Sequence, residues 1–389
     1  MKLPNYIQEN LNHSYQQELF NSFKLTGIPN RKNDLYRFSE IQKVFVHPWE
    51  APQPGDTQKP NDSDFFKPNL IIGQTGEILF SEFKIEPIEL TSKHITIPKD
   101  PLKALALSQA KHVNLLKLDG NKKLSIKYLS TANMTSNSLL VIESNGDNEI
   151  VEYFGPEHKQ TMIQSSLLIN IQTGTLDYYK LDNLDSSSTL FHFPHIKLQD
   201  KSSRLNFKQL VLSGGIQRFT PEVQLLACEN HVNFQTFYAL NQGNALDVAA
   251  KISHLKEGTT SNQEVIGTLQ DQSKCIFTGR IFIDHHCSDV QANQYNKNLL
   301  LGKKAHALSQ PQLEIFNDDV KCSHGSTTGQ ISQDELFYLQ SRGLSKLQAS
   351  KMLISSLAEK FFQDFRNTEV KTKMKEAYIQ SLQSLSEQL

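Results

Sequence analysis

The chain has 389 residues, with 40 Lys and Arg against 41 Asp and Glu and a formal charge of -1. That length holds two or three structural units with at least one sizeable core. The near-neutral balance lacks the basic face of a nucleic-acid binder, so none is expected. The first twenty residues have no apolar signal core. No apolar run nears the ~18 residues of a membrane span, so a cytoplasmic protein without membrane contact is expected. The four cysteines Cys228, Cys275, Cys287 and Cys322 form no C-x-x-C pair. In a reducing compartment they stay thiols, and their spacing suggests neither a zinc site nor a disulfide framework.

From the N-terminus, Ile7, Leu11, Tyr15, Leu19 and Phe23 fall four apart and predict an amphipathic helix. A Pro-rich run from His47-Pro48-Trp49 through Pro52, Pro54 and Pro60 must be loop. Pro101 then opens a second predicted helix, Leu102 to Lys111. Residues 1–115 thus form a helical and irregular region.

Residues 116–332 have a different texture, with short Val-, Ile-, Leu-, Phe- and Thr-rich segments separated by polar turns. Predicted strands include 138–143, 166–171, 223–227, 234–240, 276–283, 298–301 and 312–316. Alternation in Gly279-Arg280-Ile281-Phe282-Ile283 means that one face is buried. Asn-Gly and Asp-Gly hairpin signals occur only at Asp119-Gly120 and Asn145-Gly146. Many similar strands with few hairpins suit a parallel β-solenoid, although the repeat is weak and a β-sandwich fits the pattern too.

Residues 333–389 read as helical. Ser332 with Glu335, then Ser345 with Gln348, are capping boxes, and Gly343 supplies a left-handed stop after Arg342. Leu353, Leu357, Phe361 and Phe365 form one apolar stripe; Val370, Met374, Tyr378, Leu382 and Leu385 form the next. Such stripes are ordinarily core; three short helices hold little of it, which leaves a spare apolar face for a partner as the alternative.

No P-loop, dinucleotide fingerprint, H-E-x-x-H or G-x-S-x-G occurs, so no ATP site is expected on this chain. A carbohydrate-cleaving β-helix enzyme needs clustered carboxylates. Asp318-Asp319 is the conspicuous acidic pair in the strand-rich region, and adjacent strand residues face opposite ways. Cys322 and His324, two apart, leave the same face of an extended strand. A thiolate and an imidazole there suit iron or zinc, yet two ligands do not close a cluster site. Equally, Cys322 packs as a small hydrophobe and His324 takes a hydrogen bond. Within Asp284-His285-His286-Cys287 only alternate residues cooperate, and surface or turn positions are the simpler reading. Cys228 and Cys275 sit in strand patterns and are expected in the core.

The segment 311–344, PQLEIFNDDVKCSHGSTTGQISQDELFYLQSRGL, is similar to the C-terminal signature of SufD proteins. Asn296-Lys297-Asn298-Leu299-Leu300-Leu301, Phe277-Thr278-Gly279-Arg280-Ile281 and Gly214-Gly215-Ile216-Gln217-Arg218 resemble further elements of that family. The likeness is strong over residues 130–366; toward the N-terminus, Gly27 to Lys32 match only roughly. It implies a mainly β chain, a right-handed parallel β-helix flanked by N- and C-terminal helical domains. It further implies a non-catalytic scaffold for iron–sulfur cluster assembly in the SUF system. A SufB-like subunit would pair through the β-helix, and a SufC-like ATPase would dock on the C-terminal helices. Homologous pairing surfaces would also permit a homodimer. By the same resemblance His324 contributes a ligand to a transient cluster shared with the partner subunit, with Cys322 the weaker candidate. The alternatives are a SufB-type scaffold, which typically has a longer chain and further cysteine motifs, and the carbohydrate enzyme.

Overall fold

The computed structural model describes residues 4, 6–8, 11, 13–54 and 64–383. From residue 113 onward the chain winds as a stack of coils, each giving one strand to each of two ten-stranded sheets. One sheet runs from Ile78–Ser81 through Leu70–Ile72, Lys123–Tyr128, Asn148–Phe154, Thr175–Asn183, Arg204–Ser213, His231–Leu240, Thr260–Leu269 and Val290–Leu300 to Val320–Gln330. The other begins at Ile85–Pro87 and continues through Val113–Asp119, Thr135–Asn145, Met162–Ile171 and Thr189–Leu198. After the paired segments Ile216–Phe219 and Glu222–Leu225 it passes Ala245–His254 and Lys274–Ile283 to end at His306–Ile315. Pairing is parallel from coil to coil, with antiparallel contacts only near the start, between 70–72 and 78–81 and between 85–87 and 113–119.

The protein is therefore mainly β, a parallel solenoid with helices toward both termini, and not a sandwich. Asp119-Gly120 and Asn145-Gly146 are corners between the two sheets rather than hairpin turns.

The weakness of the sequence repeat has a geometric cause. Val113 lies beside Leu139, 26 residues on; Thr135 beside Met162, 27 on; and Lys274 beside His306, 32 on. A drifting period blurs self-similarity while leaving the ladder intact. The strands are also longer than their apolar runs. The segment expected at 298–301 is the end of Val290–Leu300, whose polar first half, VQANQYNK, is held by ladder bonds to the coil below.

The N-terminal region packs on the outer face of one sheet. Helix α1, Ser14–Thr26, buries Tyr15, Leu19 and Phe23 as expected, but Ile7 and Leu11 precede it. Helix α2, Pro101–Ser108, stops short of Lys111 and is wholly buried. Its N-cap is Asp100, whose carboxylate accepts from the Leu102 and Lys103 amides. These helices meet Leu139, Val141, Leu168, Phe191 and Phe193 of the sheet. The Pro-rich run is non-helical through Pro54, and Pro60 lies outside the described residues.

Arg218 fastens this layer. Its guanidinium, 1% exposed, pairs with Asp247 of the next coil and with Asp100 at 3.3 Å. It also lies 3.9 Å from the Tyr36 ring and donates to the Leu35 carbonyl. The neighbouring acids raise its affinity for its proton further despite burial.

The C-terminal helices α3, Gln333–Ser341, α4, Lys346–Phe362, and α5, Thr368–Gln383, follow the last strand. Ser345 and Gln348 form the full capping box, whereas Ser332 accepts from the Glu335 amide without a reciprocal bond. Helices α4 and α5 pack on the outer face of the other sheet, against Tyr179, Leu181, Leu210 and Phe237. Phe361 of α4 is buried as expected, but its buried companions are Ile354, Ala358 and Phe362; Leu353 and Leu357 are half-buried, and Phe365 lies beyond the helix end. Val370, Met374, Tyr378 and Leu382 of α5 are buried as expected, and Leu385 lies outside the described residues.

The solenoid interior carries titratable groups as well as stacked aromatics. Glu152, fully enclosed, accepts from Tyr128 and Tyr178 hydroxyls and lies 3.3 Å from His192 Nε2. Lys180 pairs with Asp182 beside it. Burial pushes the Glu152 carboxyl up to about 7, and it holds His254, bonded to the Thr259 and Ser261 hydroxyls, down at about 4.

Two outcomes follow. Arg218→Met strands two buried carboxylates and should cost about 3–5 kcal/mol, read as a lowered denaturation midpoint and faster proteolysis within residues 13–112. His254 stays neutral in the folded chain where the unfolded chain takes up a proton, so its contribution is present above the ordinary value of 6.5 and lost as pH falls toward about 4. Between those limits His254→Gln should reduce the dependence of stability on pH by roughly one proton, measured by denaturation at pH 4.5 to 6.5.

Candidate functional site

A stack of parallel coils satisfies each strand's backbone with the coils on either side, so its two ends are special. At the N-terminal end the antiparallel segments at 70–87 lie against the first coils. At the other end His306–Ile315 and Val320–Gln330 are terminal strands, each paired on one side only. Helices α4 and α5 pack along the side of the stack, and every position of both terminal strands is exposed or half-buried.

Alternation fixes what this end presents. Cys322 packs with Val320 against Ile281, Ile283, Cys287, Val290 and Ala292, so it faces inward. On the opposite face Ser323 donates to Asn293 at 2.7 Å, and a Cβ built on Gly325 would meet the Tyr295 ring at 3.2 Å. His324 therefore shares the inner face with Cys322, as the spacing predicts. It pairs in register with Gln294. It is exposed, and no hydrogen bond or ion pair engages its ring among the described residues.

The floor beneath His324 is polar. Gln294, 2% exposed, donates to Gln263 and reaches across to Gly279, where an added Cβ would fall 2.1 Å from its Nε2. The Gly279 of the Phe-Thr-Gly-Arg-Ile segment thus makes room for a side chain crossing the interior. Asn296 and Asn298 continue the polar surface, and Asn298 donates to the Thr328 hydroxyl at 3.0 Å. Apolar groups gather on the other side of the mouth: Leu313 and Val320 within, and Ile315 and Phe316 at the rim, the last with its ring centre 4.8 Å from that of His285 and tilted to it by 41°.

Burial raises the Cys322 thiol above its ordinary value, which disfavours the thiolate in the isolated chain. Cys275 is a core residue as expected, its thiol pushed up to about 12 by burial. Two other cysteines differ from expectation. Cys228 lies in a corner turn, half-buried, 3.8 Å from a Glu257 carboxylate oxygen. Cys287, in a turn segment, is 1% exposed, because the corner folds it under the last coils while His285 and His286 stay outside. Asp318 and Asp319 occupy a corner rather than a strand. Among the described residues no group of three or more His, Cys, Asp or Glu side chains is placed to hold a metal, so on the inner face of the last strand this end offers the His324 imidazole and the Cys322 thiol alone. Sequence reasoning missed the apolar rim and polar floor; the one signal for them was that no strand follows 320–330 before Ser332 caps a helix. No helix among the described residues is long and apolar enough to cross a membrane.

Residues 127–357, more than half of the chain, match the family model described as SUF system FeS cluster assembly, SufBD core domain. The chain is 31% identical over 181 residues to the iron-sulfur cluster assembly protein SufD of Escherichia coli K12, covering 46% of this chain and 43% of that one. It is 24% identical over 237 residues to the chloroplastic protein ABCI7 of Arabidopsis thaliana, covering 60% and 50%. A SufBD family protein of Synechocystis, slr0076, is 27% identical over 229 residues, covering 57% and 51%. These matches span about half the length of each curated relative. The long coiled run with its open end, together with this match across it, makes the chain a SufD-like member of the SufBD family of iron–sulfur cluster assembly proteins.

Proposed function

We propose that this chain is a non-catalytic scaffold subunit on which an iron–sulfur cluster, its cargo, is built at a joint between two chains. The observation that carries the reading is the unpaired last coil, with the free His324 ring on its inner face. Clusters generally take four ligands, and His324 with Cys322 supplies at most two. The remaining ligands come from a SufB-like subunit whose own solenoid meets this end, and a second copy of this chain is the stand-in when that partner is absent. The apolar rim of Leu313, Ile315 and Phe316 gives that contact a hydrophobic share, and the free strand edges give it backbone donors and acceptors. His324 is the assigned ligand; the raised thiol of Cys322 suits packing or contact better. A site divided between chains opens when they part, which suits a cargo that must leave. The cytoplasm, or an equivalent reducing compartment, keeps the thiols free.

The SufC-like ATPase docks on the C-terminal helices. Tyr338 and Met352 (57% exposed each) border a cavity of about 400 Å³ between α3 and α4, lined also by Leu339 and Leu353, and Phe337 (73% exposed) precedes Tyr338 on α3. Such a cluster on short surface helices is what a partner helix or loop anchors into. The nucleotide site belongs to that ATPase, as this chain has no P-loop.

His324→Ala should leave the assembly with its partners intact by co-purification and lower the iron and sulfide incorporated on anaerobic reconstitution by at least ~10-fold. Unchanged cluster yield in the intact assembly overturns the ligand role. Phe337→Asp with Met352→Asp should weaken ATPase capture by about 30-fold or more while leaving solenoid pairing unaffected, as measured by calorimetric titration and size exclusion; undiminished capture places the docking surface elsewhere.

A further inference from the structure

A second cavity, of about 360 Å³, lies between the strap of residues 95–100 and the outer face of the sheet that carries α1 and α2, and it extends to Thr278 and Arg280 of the strand next to the last. This volume falls in the range of about 300–1,000 Å³ seen for small-molecule sites. Arg218 lies at its inner wall. Both terminal nitrogens of Arg218 are engaged, by Asp247 and Leu35 on one side and Asp100 on the other, but its Nε–H has no acceptor among the described residues. The residue is 1% exposed. Two residues along, the buried Thr220 Oγ1 also lacks a partner among the described residues, while the Thr220 amide donates to the His192 carbonyl at 2.9 Å. Both residues line the cavity, and buried polar groups without partners are rare enough to need an explanation.

The lining is cationic. Lys99, Lys103, Arg218, Lys251 and Arg280 face it against two carboxylates, Asp100 and Glu222. Counting Asp247 and Glu314, which pair with Arg218 and Arg280 from outside the lining, the balance is still positive by one charge. His195, held neutral by burial at about 4, does not add to it. The rest of the wall is apolar, including Ile95, Ile97, Pro98 and Pro221. Two orphan donors and a small excess of positive charge match one carboxylate group; a phosphate would call for more of both.

We propose that this cavity binds a small organic carboxylate with a short apolar body. Its carboxylate accepts from Arg218 Nε–H and from the Thr220 hydroxyl, and its body lies along Ile95 and Pro221. The site is independent of the cluster-assembly reading, since it lies on the outer wall; the terminal strand His306–Ile315 touches it only through Gln312 and Glu314, the partners of Arg280.

The test is calorimetric titration of the full chain at low salt with hexanoate, using hexanol and inorganic phosphate as comparison probes. Hexanoate should saturate a single site, with hexanol and phosphate at least tenfold weaker. Thr220→Val keeps the side-chain shape and removes only the hydroxyl, so it should weaken hexanoate at least tenfold with an unchanged or higher thermal midpoint. Lys251→Gln at the rim should weaken it severalfold. No saturable binding of hexanoate overturns the proposal. So does equal affinity in both variants, or phosphate binding as tightly as hexanoate.

Discussion

The architecture depends on one requirement: every coil needs another coil to complete its backbone hydrogen bonding. Within the stack the requirement is met by register, as in the unbroken run from Lys274 beside His306 to Ile283 beside Ile315. It permits strands whose side chains would not choose extended structure alone, such as the Asn- and Gln-rich 290–300. The same requirement leaves the last coil incomplete. The N-terminal strands and helices and the α4–α5 pair cover other surfaces, and the exposed end is where the matching motif places Cys322 and His324.

Charge serves the fold in two ways. Arg218, between Asp100 and Asp247, ties the N-terminal layer to two successive coils. Inside the solenoid, Glu152, His192, Lys180 and Asp182 are enclosed with their hydrogen-bond partners. Burying such groups stabilises little on balance, but it penalises any packing that separates them. A stack of similar coils benefits from that penalty, since apolar ladders alone would tolerate a shift.

Much of this was legible from residue patterns, and the failures have physical reasons. Alternation in 279–283 and the scarcity of hairpin signals pointed to the solenoid, because period-two burial survives whatever lies on the neighbouring coil. Strand starts were missed at 290 and 274, where ladder bonds hold polar residues that carry no apolar signal. Helix α1 was drawn too long, because Ile7 and Leu11 continue its spacing without its backbone. Cys228 and Cys287 exchanged environments relative to expectation, because corner geometry decides burial there and strand periodicity says nothing about corners. His324 and Cys322 were read on one face from spacing alone and lie so; the surfaces around them come from residues far apart in sequence, brought together by stacking.

The growth of the coil from 26 to 32 residues along the stack has a consequence for assembly. The contour at the open end is longer than at the beginning, so the two ends of the molecule are not mutually complementary outlines. Head-to-tail stacking of identical copies would leave residues of the larger ring without opposite numbers. Endless fibres, the hazard of any molecule with a bare β-edge, are thereby disfavoured, whereas the pairing proposed above would bring together rings of like circumference and close after two chains.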